Sequence, residues 1–514
     1  MRSTRGWDAC VKVMIFGPVG LNAYHFETEL ELAQRHLDGG DEVTWVRCVG
    51  LLPACDWNRK HDLGACLVCT SIAHRGRSLL SRPVAIRSLP ELSASDRAIV
   101  AATPRPQTLD DLRALTVGAS SGDSFAAFDL GLGVLSSLVS LFRDPKPDVM
   151  RHQALVHDLL VASHGVYRSM LRLLETERPD RVYLFNGRFA LQRAAMRACE
   201  ARQVCFLTHE RGRDYQHFEL YENHLPHDPD RFYDRAIDAW TAADATARDA
   251  VARRYFEDRA AGLQQSWFSF TAEQRAGLLP PGFNPRQRNM AVFISSEDEF
   301  VAISDLWRHE LYRDQQDGIE RLAADLMQHK DIHLVVRVHP NLRGLDNTQT
   351  RGLRTLARWP NLTLVPAESE VSSYAIMRAC EKTISFGSTM GIEAVFWGYP
   401  SIVLGPSFYR RFEGPCRPRS HEEALRLVVG SPPPGPPVGA LQFAHHRATF
   451  GTPYRYFAPA SLRGGPWAGT VIEPSRFARG ISRGLSARAS APLRILARTT
   501  AREIARQLCA GAGR

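Results

Sequence analysis

A chain of 514 residues, 44% of them hydrophobic and 23% charged, is too long for one hydrophobic core and too apolar for a disordered protein. Its longest apolar stretch, Leu130–Phe142, is too short to cross a bilayer and predicts a core helix. The formal net charge is +9, but residues 473–514 alone hold nine arginines against two glutamates. Because the positive excess lies in a terminal tail, it argues against a nucleic-acid partner and for an attachment segment.

The N-terminal part of the chain alternates predicted strands with predicted helices. The compact β-rich runs are Val11–Phe16, Glu42–Cys48, Arg181–Phe185 and Val204–Leu207. Helical spacing covers Phe26–Leu37 and Phe189–Ala201, and residues 145–177 are mostly one long helix. This βαβ rhythm predicts a parallel sheet covered by helices.

A second βα series follows a polar stretch that contains three prolines, and we place a domain boundary there, between residues 285 and 286. Its predicted strands are Ala291–Ser295, Ile332–Val338, Leu362–Val365, Lys382–Phe386 and Ser401–Leu404. The predicted organisation is therefore an N-terminal domain over 1–285 with a cysteine-rich insertion at 48–69, and a second domain over 286–430. A proline-rich linker and return segment (431–472) and the basic tail (473–514) complete it.

Two motifs lie at the carboxyl ends of strands in the second predicted domain. Arg337-Val338-His339-Pro340 ends one strand, and Gly387-Ser388-Thr389 opens the helix after another, with Glu393 four residues beyond Thr389. The free N–H groups of a helix start and two hydroxyls suit a phosphate, His339 can donate to a phosphate or leaving group, and Glu393 can accept from ribose hydroxyls. Each motif alone is compatible with a simple turn, but their order in one βα domain favours a nucleotide site.

These motifs, together with Glu393-Ala394 and Gly398-Tyr399-Pro400, resemble those of GT-B glycosyltransferases of capsule and surface polysaccharide biosynthesis. The resemblance implies an α/β protein of two Rossmann-like domains facing across a cleft, with a nucleotide sugar linked to UDP, GDP or CMP as the donor. It assigns donor binding to one set of residues: Ser295, Ser296, Arg337, His339, Gly387, Ser388, Thr389 and Glu393.

In such a transferase the N-terminal domain holds the acceptor, a glycan or lipid-linked glycan, and supplies a general base. Three residues that follow predicted strands are candidates for catalysis: His25, Glu27 and Glu210. Asn186 is a candidate for binding acceptor hydroxyls. For Glu27, a favourable charge in a first helical turn is an equally simple explanation, as is a salt bridge for Glu210.

Four cysteines fall close together as Cys48, Cys55, Cys66 and Cys69. The final C-x-x-C suits one face of a structural zinc site, whereas the first pair has an unusual spacing. A structural zinc and four reduced, buried thiols therefore both remain open.

The sequence thus predicts a cytoplasmic glycosyltransferase of the cell envelope, with peripheral contact to the cytoplasmic face of the inner membrane. In the tail, arginines recur every four residues from Arg494 to Arg506, as on a basic amphipathic helix that binds an anionic surface weakly. The alternatives are a polyol-phosphate transferase of the teichoic or capsular type, a nucleotide-sugar epimerase of similar two-domain shape, and an inactive scaffold of a polysaccharide assembly complex.

Overall fold

The computed structural model of the protein describes residues 10–118, 128–263, 271–461 and 464–488, and the chain divides into two units. The first unit extends to Leu141, continues over Asp148–Pro226, and takes up the chain again from Gly451. The second unit comprises Phe142–Pro147 and His227–Phe450.

The first unit is built on a seven-stranded sheet. Its strands are β1 (Lys12–Phe16), β2 (Glu42–Cys48), β3 (Ala85–Leu89), β4 (Arg181–Phe185), β5 (Cys205–Arg211), β6 (His217–Glu222) and β12 (Thr452–Pro453). They lie in the order β12-β6-β5-β4-β1-β2-β3, and the five strands from β5 to β3 are parallel. Strands β1 and β4 are nearly continuous apolar runs because helices cover both faces of a parallel sheet.

Eight helices in the described part of this unit accompany the sheet. They are α1 (His25–Asp38), α2 (Leu63–Arg77), α3 (Ala94–Ala101), α4 (Leu109–Ala114), α5 (Leu130–Phe142), α6 (Gln153–Glu177), α7 (Ala190–Ala201) and α16 (Arg476–Arg488). In the core of this unit, the apolar face of α1 packs against the sheet, and Phe26 and Leu30 are among the buried residues of α1.

The second unit repeats the plan with five parallel strands. They are β7 (Arg288–Ile294), β8 (Ile332–Arg337), β9 (Leu362–Val365), β10 (Lys382–Phe386) and β11 (Ser401–Val403), in the order β11-β10-β7-β8-β9. The accompanying helices are α8 (Pro229–Ala242), α9 (Ala245–Ala260), α10 (Gln315–Asp325), α11 (Thr348–Thr355), α12 (Ser373–Ala379), α13 (Met390–Phe396), α14 (His421–Val429) and α15 (Val438–Thr449).

Both sheets have the Rossmann order, so the prediction of two Rossmann-like domains is confirmed. In each unit the chain builds outward from its first strand in one direction and then reverses to the other side. The reversal lies between β1 and β4 in the first unit and between β7 and β10 in the second. Ligands of open α/β sheets bind beside such a reversal, at the carboxyl ends of the strands.

The division between the units differs from the predicted boundary at 285/286. Residues 227–285 belong to the second unit because α8 and α9 bury Trp240, Tyr255 and Phe256 against α13 and α15. The proline-rich stretch at 431–437 leads into α15 of the same unit rather than separating two units.

A buried glutamate fixes the returning chain to the first unit. Glu31 of α1 is fully buried and accepts hydrogen bonds from the backbone amides of Arg455, Tyr456 and Phe457 at 2.8, 2.8 and 3.1 Å. The first part of the predicted basic tail is helix α16, which contacts α2: the Ser475 amide donates to the Ser71 hydroxyl at 2.9 Å. The predicted arginine stripe from Arg494 to Arg506 lies outside the described residues.

Among the described residues, no helix has both the length and the apolar character needed to span a bilayer.

Candidate functional site

In the second unit, the turn after β10 has a backbone that only glycine can adopt without strain. Gly387 has a φ of 90°, and a Cβ there would lie 2.5 Å from the Pro406 carbonyl oxygen. The Ser388 carbonyl is fixed by the hydroxyls of Ser385 and Tyr409, at 2.9 and 2.5 Å. The turn is therefore rigid, and it sits at the reversal of strand order beside the end of β7.

Ser295 and Ser296, which follow β7, are engaged in this architecture. The Ser295 hydroxyl donates to the Phe386 carbonyl at 2.9 Å and so joins the ends of β7 and β10. The Ser296 hydroxyl donates to the Asp298 carboxylate, and Ser296 is buried. The structure brings both serines to the predicted site, where their hydroxyls hold neighbouring protein groups.

Glu393 does not have a free carboxylate. It is fully buried, and its Oε1 accepts from Arg259 at 3.0 Å and from the Thr389 hydroxyl at 2.9 Å, while the Tyr374 hydroxyl donates to Oε2. Because these donors occupy it, Glu393 holds Arg259 and Thr389 in place instead of facing a ribose. Arg259, on α9, was not singled out from the sequence because its partner is 134 positions away.

His339 is a neutral imidazole at the carboxyl end of β8. Burial, and then the charge of Arg337, lowers its pKa to about 4. Its Nδ1 accepts from the Asn341 amide at 3.1 Å, which leaves the proton on Nε2 and makes the ring a hydrogen-bond donor there. Arg337 is buried and donates to the carbonyls of Pro366 and Ser369, so it supports the loop after β9.

In the first unit, His25 and Glu210 come together as predicted candidates. His25 Nε2 lies 3.6 Å from Glu210 Oε1, and the His25 ring packs on Phe185 with 3.9 Å between centroids. Asn186 Nδ2 and the Arg211 amide donate to Glu210 at 2.7 and 3.0 Å and fix its carboxylate. Burial, and then Arg211, lowers the pKa of His25 well below its usual value, so the ring is neutral.

Glu27, the third catalytic candidate, faces the backbone instead. Its carboxylate accepts from the Tyr24 amide at 2.7 Å in a capping box at the start of α1. Because it completes this cap, Glu27 stabilises the helix that carries His25 and does not join the His25–Glu210 pair.

A second histidine and glutamate lie beside this pair. His209 is fully buried, its ring centroid is 6.0 Å from that of His25, and its Nε2 is 3.8 Å from Glu29 Oε1. In the described part of the chain, neither ring nitrogen of His209 nor Glu29 Oε2 has a hydrogen-bond partner. Burial lowers the pKa of His209 to about 3 and raises that of Glu29 well above its usual value. The only sequence signal for them was their place after predicted strands.

Of the two alternatives left open for the cysteine-rich segment, the structure favours four reduced thiols over a structural zinc site. Across the described ranges, no group of three or more His, Cys, Asp or Glu side chains is arranged to hold a metal ion. The sulfurs of Cys48, Cys66 and Cys69 accept hydrogen bonds from Gly50, Asn58 and Gly20, respectively, at 3.2–3.3 Å. Burial raises the pKa of these thiols and that of Cys55, which favours the protonated form over a thiolate ligand.

No protein-family model and no curated protein matches the chain. Solved structures do. A β-Kdo 2,4-transferase, KpsC of Thermosulfurimonas dismutans, is 15% identical, with 52% of this chain and 79% of that chain covered at a TM-score of 0.33.

Two further structures cover more of the chain. The glycosyltransferase SnogD of Streptomyces nogalater is 14% identical over 86% of this chain and 94% of its own, at a TM-score of 0.20. The UDP-GlcNAc 2-epimerase of Methanocaldococcus jannaschii is 8% identical over 82% of this chain and 92% of its own, at a TM-score of 0.23. The chain is thus similar to a Kdo transferase, to another glycosyltransferase and to an epimerase, at a level that by itself assigns no activity.

Proposed function

We propose that this protein transfers a glycosyl group from a nucleotide-activated sugar to a glycan or lipid-linked acceptor. The observation that carries the proposal is the position of the two candidate sites. Each lies where the strand order reverses in its own Rossmann sheet, and each gathers the side chains that the corresponding half of the reaction needs.

The donor nucleotide is assigned to the second unit. Gly387, Ser388 and Thr389 form a rigid turn beside the end of β7, and His339 is a neutral donor at the end of β8. A neutral imidazole that donates from Nε2 suits a phosphate oxygen of a UDP, GDP or CMP sugar. Ser295, Ser296, Arg337 and Glu393 support this site through the contacts described above.

The acceptor and the general base are assigned to the first unit. His25 takes the proton of the acceptor hydroxyl, and Glu210 stabilises the imidazolium that forms. The acceptor oxygen then bonds to the anomeric carbon as the bond from that carbon to the phosphate oxygen breaks, and the nucleotide leaves with the electron pair. Asn186 keeps the Glu210 carboxylate directed at His25.

The test begins with the shift in melting temperature caused by UDP, GDP and CMP sugars, followed by calorimetry with the one that binds. We expect His339→Ala to weaken its binding about tenfold or more, through loss of a hydrogen bond to a charged group. His333→Ala is the matched control, because His333 lies near the other end of β8 and its side chain bonds only Thr363 among the described residues. No stabilisation by any nucleotide sugar, or unchanged affinity in folded His339→Ala, would contradict the donor assignment.

The acceptor assignment is tested by His25→Gln in the same preparation. Product formation with an acceptor glycan is expected to stop, while donor affinity stays at the wild-type value. A His25→Gln enzyme that transfers the sugar at the normal rate would exclude His25 as the base.

We also propose that residues 489–514 bring the protein to an anionic membrane surface, where a lipid-linked acceptor would be carried. Five arginines against one glutamate in this stretch support that contact.

A further inference from the structure

A short segment of the second unit is inserted between parts of the first unit in the sequence. It runs from Phe142 to Pro147 and contacts the loop after β8 and the start of α11. The Asn347 side chain donates to the Arg143 carbonyl, and the Asp144 carboxylate accepts from the Thr348 amide at 3.1 Å and from its hydroxyl. Arg143 itself has a φ of 51°, a left-handed conformation that is uncommon for a residue with a side chain. The segment is thus held in one conformation.

This conformation places the Arg143 guanidinium next to the His339 loop. Its Nε donates to the buried carboxylate of Asp298, and Nη2 donates to the Asn341 carbonyl at 3.2 Å. Asn341 is the residue whose amide bonds the His339 ring. The Arg143 side chain is nevertheless 39% exposed, so it is anchored by these bonds and partly open to solvent.

Arg259 is anchored in the same way on the Thr389 side of the site. Its guanidinium donates to Glu393 at 3.0 Å and to the Thr389 hydroxyl at 3.1 Å, and the side chain is 34% exposed. The Glu393 side chain is only 1% exposed. Each arginine is therefore oriented by a buried carboxylate while its side chain as a whole stays partly exposed.

Both guanidinium charges act on the same side chain, His339. Together with burial and Arg337, which lead the effect, Arg259 and Arg143 contribute to the lowered pKa of His339. A guanidinium has five N–H donors, and a carboxylate with one further acceptor does not use them all. Oxygen-rich anions such as phosphates are the ligands that two such arginines bind best.

We propose that Arg143 and Arg259 form a phosphate-binding pair at the His339 site of the second unit. If the proposed function is correct, the phosphates are those of the donor nucleotide, and this identity rests on that proposal. The binding of a phosphate anion does not rest on it. Arg143 is then a ligand-binding residue supplied by a segment that lies between two stretches of the first unit in sequence.

The test uses inorganic pyrophosphate, which carries no base or sugar, in calorimetry with the full chain. We expect pyrophosphate to bind wild-type protein and Arg143→Gln and Arg259→Lys each to weaken it about tenfold or more. Because Arg259→Lys could disturb the buried Glu393, the double variant Arg259→Gln/Glu393→Gln removes both charges and must also lose pyrophosphate. The control is Arg354→Gln on α11, whose arginine pairs with Asp346 at the surface.

The outcomes separate the two proposals. Loss of pyrophosphate binding in the arginine variants, with no nucleotide sugar bound by the wild type, supports the phosphate pair and overturns the glycosyltransferase assignment. Unchanged pyrophosphate affinity in Arg143→Gln and in the folded Arg259 variants overturns the phosphate pair. So does a wild-type protein that binds a nucleotide sugar but no pyrophosphate.

Discussion

Burial sets the protonation state of the histidines in both candidate sites. His25, His209 and His339 all have a pKa below the ordinary value because removing an imidazolium from water is unfavourable. A neutral ring can accept a proton or donate a single hydrogen bond, and the proposed reaction uses His25 in the first way and His339 in the second. His209 has no such role in the described structure, and so its burial has a cost that depends on pH.

We expect His209→Gln to reduce the dependence of the free energy of unfolding on pH below pH 6.5. The pKa of His209 is about 3 in the folded protein and 6.5 when exposed, so its neutral form stabilises the fold fully above pH 6.5. That stability is lost as the pH falls from 6.5 towards 3, by up to about 1.4 kcal/mol per pH unit. Urea denaturation from pH 7 to 4 measures the slope for both proteins. Identical slopes would mean that His209 is not a buried neutral group.

Neighbours distant in sequence decide which predicted residue is free to act. Glu27 and Glu29 both lie early in α1, and the sequence gives no reason to separate them. The fold turns Glu27 to the Tyr24 amide and Glu29 towards His209 on β5. Likewise, Glu393 was predicted as a ribose ligand because no residue near it in the sequence indicates its hydrogen bonds with Arg259. Residue types at strand ends could be predicted, whereas their partners required the fold.

At the scale of elements, each site depends on a turn with left-handed backbone that follows a strand. Asn186 and Gly187 after β4 have φ values of 55° and 86°, and Gly387 after β10 has 90°. Such turns end the strand abruptly and direct the next side chains to the carboxyl edge of the sheet. At Gly387 the turn also passes close to Pro406, so two separate constraints exclude a side chain.

We expect Gly387→Ala to destabilise the protein more than Gly398→Ala, and to reduce nucleotide binding. Gly398 is the matched control: its φ is 80°, but a Cβ there would have no atom within 4 Å. The control therefore bears only the left-handed strain of roughly 1–2 kcal/mol, whereas Gly387→Ala adds a contact of 2.5 Å with the Pro406 carbonyl. Urea denaturation gives both values. Equal losses of stability would show that the Pro406 contact relaxes freely.

Most of the parallel strands were predictable from the sequence, whereas β3, β6 and β12 were not. The sequence predicted β2, β4, β9 and β10 to the residue, because each is a compact β-rich run with clear ends. Strands β3 and β6 were missed because their partly exposed residues do not form such a run. The alternation of strands and helices predicted that the strands are parallel, but it did not predict that β6 and β12 join the first sheet in antiparallel orientation.

At the scale of the whole molecule, the chain passes between the two units more than once. Phe142–Pro147 and the return at Gly451 both break the simple order of one domain after another. Composition places a boundary at prolines, but the buried aromatic residues of α8 and α9 place residues 227–285 in the second unit. Linear sequence cannot show this, since the ion pair between Arg259 and Glu393 spans 134 positions.

Because the basic tail begins with helix α16, a deletion that tests its membrane role has to start after that helix. Helix α16 contacts α2 and buries Ala478, so a deletion from Glu473 would remove part of the first unit together with the arginines. A deletion of residues 489–514 removes five arginines and one glutamate and leaves α16 intact.

We expect this shorter chain to keep the wild-type melting temperature and to lose sedimentation with phosphatidylserine vesicles. Each arginine near an anionic surface contributes about 1 kcal/mol, an attraction that salt screens. Binding of the full chain should therefore fall as salt rises and be absent on phosphatidylcholine alone. If the shorter chain sediments with anionic vesicles as well as the full chain does, residues 489–514 are not the membrane contact, and the remaining basic surface must be examined in their place.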